Sequence, residues 1–515
     1  MTSLSLTALH QRALAQIGGI SPYRLVLSGL GAIAAVAFVL SFFGLVAAEP
    51  LALVVSGAVL AAVALASDAV AHRILRTPPR WESSLVTAGI LLFILPPRLE
   101  LVALAGAALT ALVASVSKYL IAWRGRHILN PAALGVGIVA ATPLVEATWW
   151  VGTAPLSIVV ALAGLVVAVR TEKLRVVLVF LLVGAAATVV RLALAADATG
   201  AEYDAFQAGA TAIAASPLLF LGVFMLSEPL TLPPRRNQQF AVAAVVGVLA
   251  GAQLSFGAFL LGPEQALLLG NLLAFAFALR TAVRLRFAGR EFVTPTVLEL
   301  RFEAQGTLAF VPGQYLELEV PHRKPDARGT RREFSIVSTP QDLPTVRIAY
   351  RDGGQKHPST FKKALAATEP GDTLPVTGVW GDFVLPRADV PIVLVAAGIG
   401  VTPFVSQLRS AWQSGKARNA VLVYVAAEAA ELAYRAELEE TGAEVIVFTR
   451  DAPAGLPENW HWAQGVRLDA AGLARVVPDL AERHAYVSGP PRLIADLAPA
   501  LQKARSLTTD AFAGY

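Results

Sequence analysis

Apolar residues are crowded into one half of this 515-residue sequence, between positions 23 and 283, in long runs separated by short polar loops. Over the whole chain 55% of the residues are hydrophobic and 15% are charged, whereas an ordinary soluble domain has about a quarter charged. The charged residues gather after the apolar half. This distribution predicts a membrane protein with two parts, a membrane unit followed by a soluble unit.

The apolar half divides into ten segments, since a membrane-spanning helix needs about 20 apolar residues. The segments are 23–48, 51–70, 85–95, 101–121, 131–148, 151–169, 176–195, 212–226, 240–260 and 266–283. If the N-terminal segment 1–22 is cytoplasmic, basic residues gather in the loops on that side, and the opposite loops hold Arg98 and otherwise acids. The positive-inside rule then predicts a multi-pass protein of the inner (cytoplasmic) membrane, with the soluble half in the cytoplasm.

Two segments, 85–95 and 212–226, are too short to span a bilayer. They are the third and the eighth of the ten segments, so each is the third segment of a five-segment half. Their surroundings are also alike, "SLVTAGILLFILPPR" in one half and "SPLLFLGVFMLSEPLTLPPRR" in the other. The pattern predicts an inverted repeat of two five-helix halves, with a binding site at mid-membrane depth.

Composition excludes several functions. The chain has no cysteine, which rules out disulfides and thiolate-ligated iron–sulfur clusters. Of seven histidines only His72 and His127 lie near the apolar segments, so bis-histidine haem is not predicted. The basic residues sit in short loops rather than among aromatic residues, which argues against nucleic-acid binding. No metal site is predicted.

Three stretches of the apolar half carry a family resemblance: "GRHILNPAALGVG" (125–137), "AGATAIAASP" (208–217) and "FMLSEPLTLP" (224–233). Together with the ten-segment count, they resemble the membrane flavoprotein subunits of the sodium-pumping NADH:quinone reductase and of the Rnf complex. In that family a threonine in a Ser/Asp-Gly-Ala-Thr setting carries FMN as a phosphodiester. The resemblance implies FMN or another flavin here, with Thr211 and Asn130 as its candidate residues and Ala208 at the Ser/Asp position.

After a basic linker the pattern changes twice. Residues 284–387 contain short alternating stretches such as "TVLELRFEA" and "QYLELEV", which predict a small antiparallel β-barrel. In residues 388–515 the pattern becomes α/β from residue 391, where "PIVLVAAGIGVTPFVSQL" indicates a buried strand, a turn at Gly398 and Gly400, and a helix opened by Pro403. That pattern predicts an α/β domain with a parallel sheet, whose glycine turn and helix start suit a pyrophosphate.

In this order, "RREFSIVS" (331–338), "PSTFKKAL" (358–365), "AAGIGVTP" (396–403), "SGPP" (488–491) and a terminal tyrosine resemble ferredoxin–NADP reductase-type flavoproteins. The resemblance implies that the barrel binds FAD, that the α/β domain binds NADPH or NADH, and that hydride passes from nicotinamide to flavin. It assigns FAD to Arg332, Phe334, Ser335, Tyr350, Ser359, Thr360 and Tyr515. It assigns NAD(P)H to Gly398, Gly400, Thr402, Pro403, Thr449, Arg450, Gly489 and Pro490.

The same resemblance implies catalytic roles for Ser335, Ser488 and Tyr515. Ser335 would donate a hydrogen bond near the flavin, Ser488 stands where many relatives have cysteine beside the nicotinamide, and Tyr515 would cover the flavin face as a lid. Phe334 replaces a tyrosine and keeps the ring. Arg450 at a strand end is a candidate for the 2′-phosphate of NADPH.

The sequence therefore predicts a membrane-bound NAD(P)H-dependent flavin oxidoreductase. Electrons would pass from cytoplasmic NAD(P)H through FAD into a flavin-binding membrane unit, and then to quinone or an extracytoplasmic flavoprotein. The alternative is a transporter with a redox-sensing FAD/NAD(P)H domain, because paired short helices also serve solute binding. Coupling to Na⁺ or H⁺ has little support, since Glu146 and Glu228 lie at segment ends, and Arg191 has no evident partner.

Overall fold

The computed structural model describes residues 22–75, 81–123, 126–171, 173–233, 236–257, 259–277, 283–322, 330–352, 359–386, 389–416 and 418–511. The chain forms two compact units, residues 1–279 and 280–515. Most of the predicted N-terminal segment 1–22 and the predicted lid residue Tyr515 lie outside the described residues.

The described part of the first unit is helical, with two short hairpins. The helices are α1 (Pro22–Ser41), α2 (Pro50–Leu75), α3 (Trp81–Ile94), α4 (Leu101–Leu120), α5 (Pro131–Val139), α6 (Ala154–Arg170), α7 (Leu174–Thr199), α8 (Ala205–Ala214), α9 (Leu218–Leu226), α10 (Arg236–Ala252) and α11 (Pro263–Phe277). The hairpins pair β1 (Ala122–Trp123) with β2 (Arg126–His127), and β3 (Ser255–Phe256) with β4 (Phe259–Leu260). Each of the ten predicted apolar segments contains a helix.

Four of the described helices, α1, α2, α4 and α7, are long and apolar enough to cross a membrane. The number rises to five if α8 and α9 are counted as one span, which bends by 48° at its break. Helices α3 and α6 are apolar but shorter. The long helices carry large apolar side chains on their exposed faces, such as Leu51, Leu182 and Leu194.

The packing of the helices repeats. In the first half α2 packs against α3 and α4, and α4 packs against α5. In the second half α7 packs against α9 and α10, and α10 packs against α11 in the same way. The halves contact each other through their first helices, α1 with α6, and through their last helices, α5 with α11. This is the packing expected of two related five-element halves.

Helix α3 ends inside the bundle, with residues 90–95 all buried. A helix leaves its last four carbonyl groups without intrahelical partners, and in an apolar interior these groups need donors from elsewhere. The segment after α5 supplies them. The backbone N–H groups of Thr148 and Trp149 donate to the Ile94 oxygen at 3.1 and 3.0 Å, and the Trp150 indole donates to the Leu92 oxygen at 2.7 Å.

Two predicted segments have different bounds in the structure. The helix predicted over 131–148 ends at Val139, and the chain beyond it forms turns and an irregular segment that satisfies the end of α3. The segment predicted over 212–226 begins earlier and is split into α8 and α9. The split falls at Pro217, whose ring disfavours a helical conformation for the preceding residue. The second half of α9, Leu221–Leu226, is a buried π-helix.

The second unit begins with the predicted antiparallel barrel, which the structure confirms. Its strands are β5 (Val283–Thr294), β6 (Val297–Gln305), β7 (Tyr315–Glu319), β8 (Arg331–Ser335), β9 (Thr345–Arg351) and β10 (Thr373–Trp380), with α12 (Thr360–Ala366). The order is β8-β7-β10-β5-β6-β9, and a bridge between Ile336 and Ile348 joins the two ends. Apolar side chains such as Leu300, Phe302 and Leu316 fill the interior.

The predicted parallel sheet follows and is also confirmed. Its strands are β11 (Ile392–Ala397), β12 (Ala420–Val425), β13 (Glu444–Phe448), β14 (Trp460–Trp462), β15 (His484–Gly489) and β16 (Ser506–Ala511). The helices are α13 (Thr402–Gln413), α14 (Arg435–Glu440), α15 (Ala470–Val476) and α16 (Pro491–Leu501). The order is β14-β13-β12-β11-β15-β16. Strands β11 and β12 are apolar throughout because both faces of the sheet are covered.

An ion network fastens the barrel to the α/β domain. Arg347 on β9 makes two hydrogen bonds of 2.8 Å to Glu437 on α14 and one of 3.2 Å to the fully buried Glu299 on β6. Arg409 on α13 pairs with Glu437 at 3.0 Å and with Asp342 of the barrel at 2.9 Å. Bidentate arginine–carboxylate pairs are geometrically specific, so the network fixes how the two domains meet.

The close approach of α7 and α10 gives a steric prediction. A Cβ atom on Gly251 would collide with the Gly184 carbonyl oxygen, whereas a Cβ on Gly31 of α1 meets open space. Both residues are helical, so alanine improves helix propensity equally at the two sites. We expect Gly251→Ala to lower the melting temperature of the full-length protein in detergent and the matched Gly31→Ala to keep or raise it. Overpacking typically costs about 1–3 kcal/mol; equal shifts would contradict the packing described.

The contact between Asp342 and α13 gives a pH prediction. Burial raises the pKa of the Asp342 carboxyl, but the Thr339 N–H and the Arg409 guanidinium lower it more, so the pKa lies below its usual value. The stabilisation is therefore present above the ordinary aspartate pKa of about 3.9 and is lost as the pH falls through the folded-state pKa. Asp342→Asn should speed hydrogen exchange in α13 at pH 7.

The measurement is hydrogen exchange by mass spectrometry on the full chain, corrected for intrinsic rates. We expect the difference between wild type and Asp342→Asn to narrow as the pH falls below about 4. A difference that stays constant across that range would show that the Asp342 carboxylate does not fasten the helix.

Candidate functional site

The first part of the site lies where the strand order of the parallel sheet reverses. Chain connections leave β11 and β15 in opposite directions, and such a switch point opens a crevice at the carboxyl ends of the strands. Strand β11 runs into the turn Gly398–Val401, which leads into α13. Gly398 has a φ of +53°, a left-handed conformation that favours glycine. The predicted dinucleotide turn is therefore at the position where this fold binds ligands.

Two predicted residues, Gly400 and Ser488, meet at this crevice. A Cβ atom on Gly400 would collide with the Ser488 carbonyl oxygen, so only glycine lets the turn lie this close to the end of β15. The Ser488 side chain is fully buried. Among the described residues its hydroxyl has no hydrogen-bond partner. A buried hydroxyl without a partner is unfavourable by itself, and a ligand at the crevice would satisfy it.

The other predicted nucleotide residues surround the same crevice. Thr402 begins α13 and donates its hydroxyl proton to the Ile399 oxygen at 3.0 Å, with Pro403 in the first turn. Gly489 ends β15, where a Cβ would lie 3.0 Å from that of Ala397. Pro490 caps α16. These residues form the start of two helices that face the ends of β11 and β15.

Thr449 and Arg450 directly follow β13, at the same edge of the sheet. The Thr449 hydroxyl donates to the Asp451 carbonyl oxygen at 2.8 Å. The Arg450 side chain is 71% exposed, and its nearest carboxylate, Glu428, is 3.7 Å away. Exposed ion pairs of this kind contribute little, so the guanidinium is available to an anionic ligand.

Three of the residues predicted to bind flavin form a second cluster, around Phe361. The Arg332 guanidinium lies 4.9 Å from the centre of the Phe361 ring. The Phe334 ring stacks on Phe361 at 6.1 Å between centres and meets Tyr350 edge-on at 6.3 Å. Phe361 was missed in the sequence, although it directly follows the predicted Ser359 and Thr360. The sequence signal for Phe361 is an aromatic residue in the first turn of α12, a helix whose start was predicted to bind phosphate.

The hydroxyl of Tyr350 is buried and has no hydrogen-bond partner among the described residues. Burial and the nearby Asp352 carboxylate raise the pKa of Tyr350 to about 12, against an opposing effect of Arg290. The hydroxyl is therefore protonated at physiological pH and can donate a hydrogen bond. Like Ser488, it is a buried polar group without a partner in the part of the chain that the structure describes.

Ser359 and Thr360 are partly engaged within the protein. The Ser359 hydroxyl oxygen caps α12 by accepting the Lys362 N–H at 3.2 Å, and the Thr360 hydroxyl lies 3.3 Å from His322 Nε2. Their backbone N–H groups remain at the helix start.

Ser335 ends β8, where it is buried and pairs with Tyr315. The chain just beyond Ser335 contacts α13, because the Ser406 hydroxyl of α13 donates to the Ser338 carbonyl oxygen at 2.8 Å. The strand that carries the flavin residues and the helix that follows the dinucleotide turn are thus directly joined. This contact brings the two parts of the site into one structure.

In the helical unit, Asn130 lies where the two halves meet. Its side-chain oxygen caps α5 by accepting the Ala133 N–H at 3.0 Å, its amide donates to Glu228 at 2.9 Å, and its backbone N–H donates to Asn271 of α11 at 2.8 Å. His127 Nδ1 lies 3.3 Å from the other oxygen of Glu228. Sequence reasoning missed Glu228 and Asn271 as partners, because they are about 100 and 140 residues away.

Thr211 lies elsewhere, on the exposed side of α8, while Ala208 faces the interior. Thr211 is within the helix rather than at its start. The described contacts do not join Thr211 to Asn130. A third charged cluster, around Asp68, was also missed and is treated below. Among the described residues, no group of three histidine, aspartate or glutamate residues could hold a metal ion.

The second unit is similar to characterised reductases. Residues 394–498 match the oxidoreductase NAD-binding domain family. Ferredoxin–NADP reductase B of Sorangium cellulosum is 31% identical over 206 residues, which are 39% of this chain and 78% of that protein. The chain belongs to the ferredoxin–NADP reductase family. Its second unit is therefore an NAD(P)H-dependent oxidoreductase module that binds FAD and NAD(P)H.

The reductase component of propane 2-monooxygenase from Mycolicibacterium goodii is 29% identical over 239 residues, which are 44% of this chain and 65% of that protein. This chain thus covers just under two-thirds of that relative. Among solved structures, the flavohem-like FAD/NAD-binding domain of nitric oxide dioxygenase from Vibrio cholerae aligns with a TM-score of 0.38 and 18% identity, over 45% of this chain and 99% of that chain.

The residues of the second unit fit both cofactors of this family. The unsatisfied hydroxyl of Tyr350 belongs to the flavin cluster, and that of Ser488 belongs to the nucleotide crevice. The arginine and aromatic side chains of the flavin cluster suit an anionic, flat ligand. Gly400 leaves the space at the turn that a dinucleotide backbone needs.

The exposed guanidinium of Arg450 gives a test of dinucleotide preference. We expect Arg450→Gln to raise the KM for NADPH about tenfold, which corresponds to about 1.4 kcal/mol. The KM for NADH should change by less than about twofold, because NADH lacks the 2′-phosphate. The measurement is steady-state reduction of ferricyanide by the purified full-length protein. Arg467→Gln is the matched control, because Arg467 is also exposed and has a carboxylate at 3.8 Å. Equal effects on NADPH and NADH would exclude a 2′-phosphate contact.

Proposed function

We propose that the chain is a membrane-bound NAD(P)H-dependent flavin oxidoreductase that passes electrons from cytoplasmic NAD(P)H, through FAD, into its own helical unit. The observation that carries this proposal is the fusion of a ferredoxin–NADP reductase module to a helical unit with interrupted elements at matching places in its two halves. The curated relatives named above are described as reductases or reductase components. Here the electron acceptor would be part of the same chain.

The second unit would bind NAD(P)H at the switch point, with Gly398 and Gly400 admitting the pyrophosphate to the start of α13. Ser488 would orient the nicotinamide with its buried hydroxyl. Arg332 would neutralise the FAD pyrophosphate, and Ser335 and Tyr350 would donate hydrogen bonds to the flavin. Tyr515 would cover the flavin face until nicotinamide enters. FAD, when bound, supplies the chemistry that turns a two-electron hydride donor into single electrons.

The helical unit would lie in the cytoplasmic membrane. Four or five of its helices meet the length and composition needed to cross a bilayer, and they expose large leucine side chains that water would disfavour. The charges of the loops favour a cytoplasmic position for the second unit. Together these features support a multi-pass protein whose redox module faces the NAD(P)H pool.

A flavin in the helical unit would complete the electron path. The polar groups of Asn130, Glu228 and Asn271 are gathered where the interrupted element α9 ends and α5 begins, the kind of junction that binds ligands inside membranes. Thr211 is exposed on α8, so its hydroxyl is accessible for attachment of FMN. The acceptor beyond this flavin would be quinone or an extracytoplasmic flavoprotein.

Flavin content tests the proposal. We expect acid precipitation of the purified protein to release one FAD per chain into the supernatant and to leave FMN in the pellet. Thr211→Ala should remove the pellet-bound FMN and keep FAD, because only the attachment hydroxyl is lost. Thr199→Ala is the matched control, since Thr199 is also an exposed helical threonine of this unit.

The other results are equally decisive. FAD without a second flavin would favour either a direct quinone site or the transporter with a redox-sensing domain. Solute flux without NAD(P)H turnover would distinguish the transporter. Pellet-bound FMN that survives in Thr211→Ala would place the attachment elsewhere.

A further inference from the structure

A network of polar side chains lies inside the first half of the helical unit. We call it the Asp68 network; it comprises Asp68 and His72 of α2, Ser84 of α3, and Lys118 and Tyr119 of α4. Asp68, His72, Ser84 and Lys118 are each less than 10% exposed. Lys118 Nζ lies 3.2 Å from Asp68 Oδ2, which also accepts a hydrogen bond from the Ser84 hydroxyl.

Packing does not explain a buried ion pair at this place. Removing a carboxylate and an ammonium from water is expensive, and well-packed apolar residues are often as stable or more stable. Ionisable groups inside membrane helices accordingly tend to be functional. The corresponding helices of the second half, α7 and α10, are joined differently. There the Nε of Arg191 on α7 donates to the Gly251 carbonyl oxygen on α10 at 3.0 Å. That contact needs no second ionisable group.

The hydrogen bonds of the network form a continuous path for a proton. The Tyr119 hydroxyl lies 3.2 Å from His72 Nε2 and 3.2 Å from Asp68 Oδ1. Asp68 in turn contacts Lys118 through its second oxygen. Imidazole, phenol, carboxylate and amine can each hold a proton and release it to the next.

The same contacts make a bound metal cation unfavourable. Both oxygens of Asp68 already accept hydrogen bonds, from Tyr119 on one side and from Ser84 and Lys118 on the other. The Lys118 ammonium is the counter-cation and would repel a second positive charge. It also donates to the Ser83 carbonyl oxygen at 3.3 Å, which occupies a further potential ligand.

The path has a distinct beginning and end. His72 is in the last turn of α2, whose following residues Arg73 and Ile74 are exposed. At the other end, Lys118 lies in the last turn of α4. The hairpin that follows α4 carries His127, whose Nδ1 lies 3.3 Å from Glu228 in the junction formed by Asn130, Glu228 and Asn271. Among the described residues, Arg73 follows His72 on α2, and Glu82 of α3 is paired at 3.4 Å with Arg24 of α1.

We propose that the Asp68 network is a proton relay from the His72 end of α2 to Glu228 at the Asn130 junction. This inference rests on the proposed function, because it supplies the protons that accompany electrons entering the helical unit. His72 passes its Nε2 proton to the Tyr119 oxygen as the Tyr119 hydroxyl proton moves to Asp68, and takes up the incoming proton at Nδ1. Lys118 releases a proton toward Glu228 and is reprotonated by Asp68. One proton enters, one leaves, and no group is oxidised.

Lys118→Arg separates a relay from a structural ion pair. Arginine keeps the positive charge and the pairing with Asp68 but does not give up its proton in proteins. We expect Lys118→Arg and Asp68→Asn to slow electron arrival in the helical unit about 100-fold, the lower range of the effect of a positioned proton donor. Tyr119→Phe, which removes one hydroxyl, should also slow it. FAD reduction by NADPH should be unchanged in all three.

The experiment uses full-length protein in lipid nanodiscs, mixed rapidly with NADPH. Absorbance follows FAD reduction and the later reduction of the helical unit, and a pH indicator in weak buffer follows proton uptake. Infrared difference spectra of oxidised and reduced protein provide a readout besides rate, because a protonated Asp68 contributes a carboxyl band that Asp68→Asn must lose. Thr110→Val is the matched control on α4, since the buried Thr110 hydroxyl bonds only within its own helix, to the Gly106 oxygen at 2.8 Å.

The outcomes distinguish the two levels of the proposal. Slow electron arrival and slow proton uptake in Lys118→Arg, with normal FAD content and a normal control, support the relay. Wild-type kinetics in Lys118→Arg, or an unchanged carboxyl band in Asp68→Asn, would overturn the relay alone. A wild-type protein in which FAD is reduced but no electron reaches the helical unit would overturn the proposed function and the relay together.

Discussion

An apolar helical unit must satisfy its backbone N–H and C=O groups from within, and this requirement governs the architecture of the first unit. Helix α3 can end in the interior because the irregular chain around Trp149 and Trp150 donates to its last carbonyl groups. Helix α5 can begin in the interior because Asn130 caps it and is itself held by Glu228 and Asn271. Each interrupted element therefore depends on a segment that is distant in sequence, and these junctions gather polar groups inside an apolar unit.

The same requirement applies to the second unit, where two of the buried polar groups that lack a partner among the described residues lie at the predicted site. Most buried polar groups there have partners, including Glu299 within the arginine network. The hydroxyls of Tyr350 and Ser488 are left without partners among the described residues, one in the flavin cluster and one in the nucleotide crevice. A protein tolerates such groups where a ligand completes them. The ion network and the contact between Ser406 and Ser338 hold the two clusters in a fixed relation.

Much of the second unit was predictable from sequence. Alternating short strands indicate a barrel, and an apolar strand followed by a glycine turn indicates a parallel sheet, because these patterns are local. Gly398 and Gly400 could be named for the same reason, whereas Ser488 was named only through the family resemblance. Phe361, Glu228 and Asn271 could not be named as members of a site, since a single aromatic, acid or amide has no local signature. The extent of α5 was also overestimated, because hydropathy does not show that residues 148–150 are needed as hydrogen-bond donors to the end of α3.

The sequence by itself determined the division into an apolar and a polar half, the order of the elements and the dinucleotide turn, because hydrophobic periodicity and glycine conformation act over a few residues. Tertiary structure alone decided where the helices are interrupted and how the barrel is fastened to the sheet. It also decided that four polar residues form one network: Asp68, His72, Lys118 and Tyr119. Those residues belong to two helices separated by about 50 residues of chain. These polar side chains come into contact because the two helices pack together, and that packing is a property of the tertiary structure rather than of the local sequence.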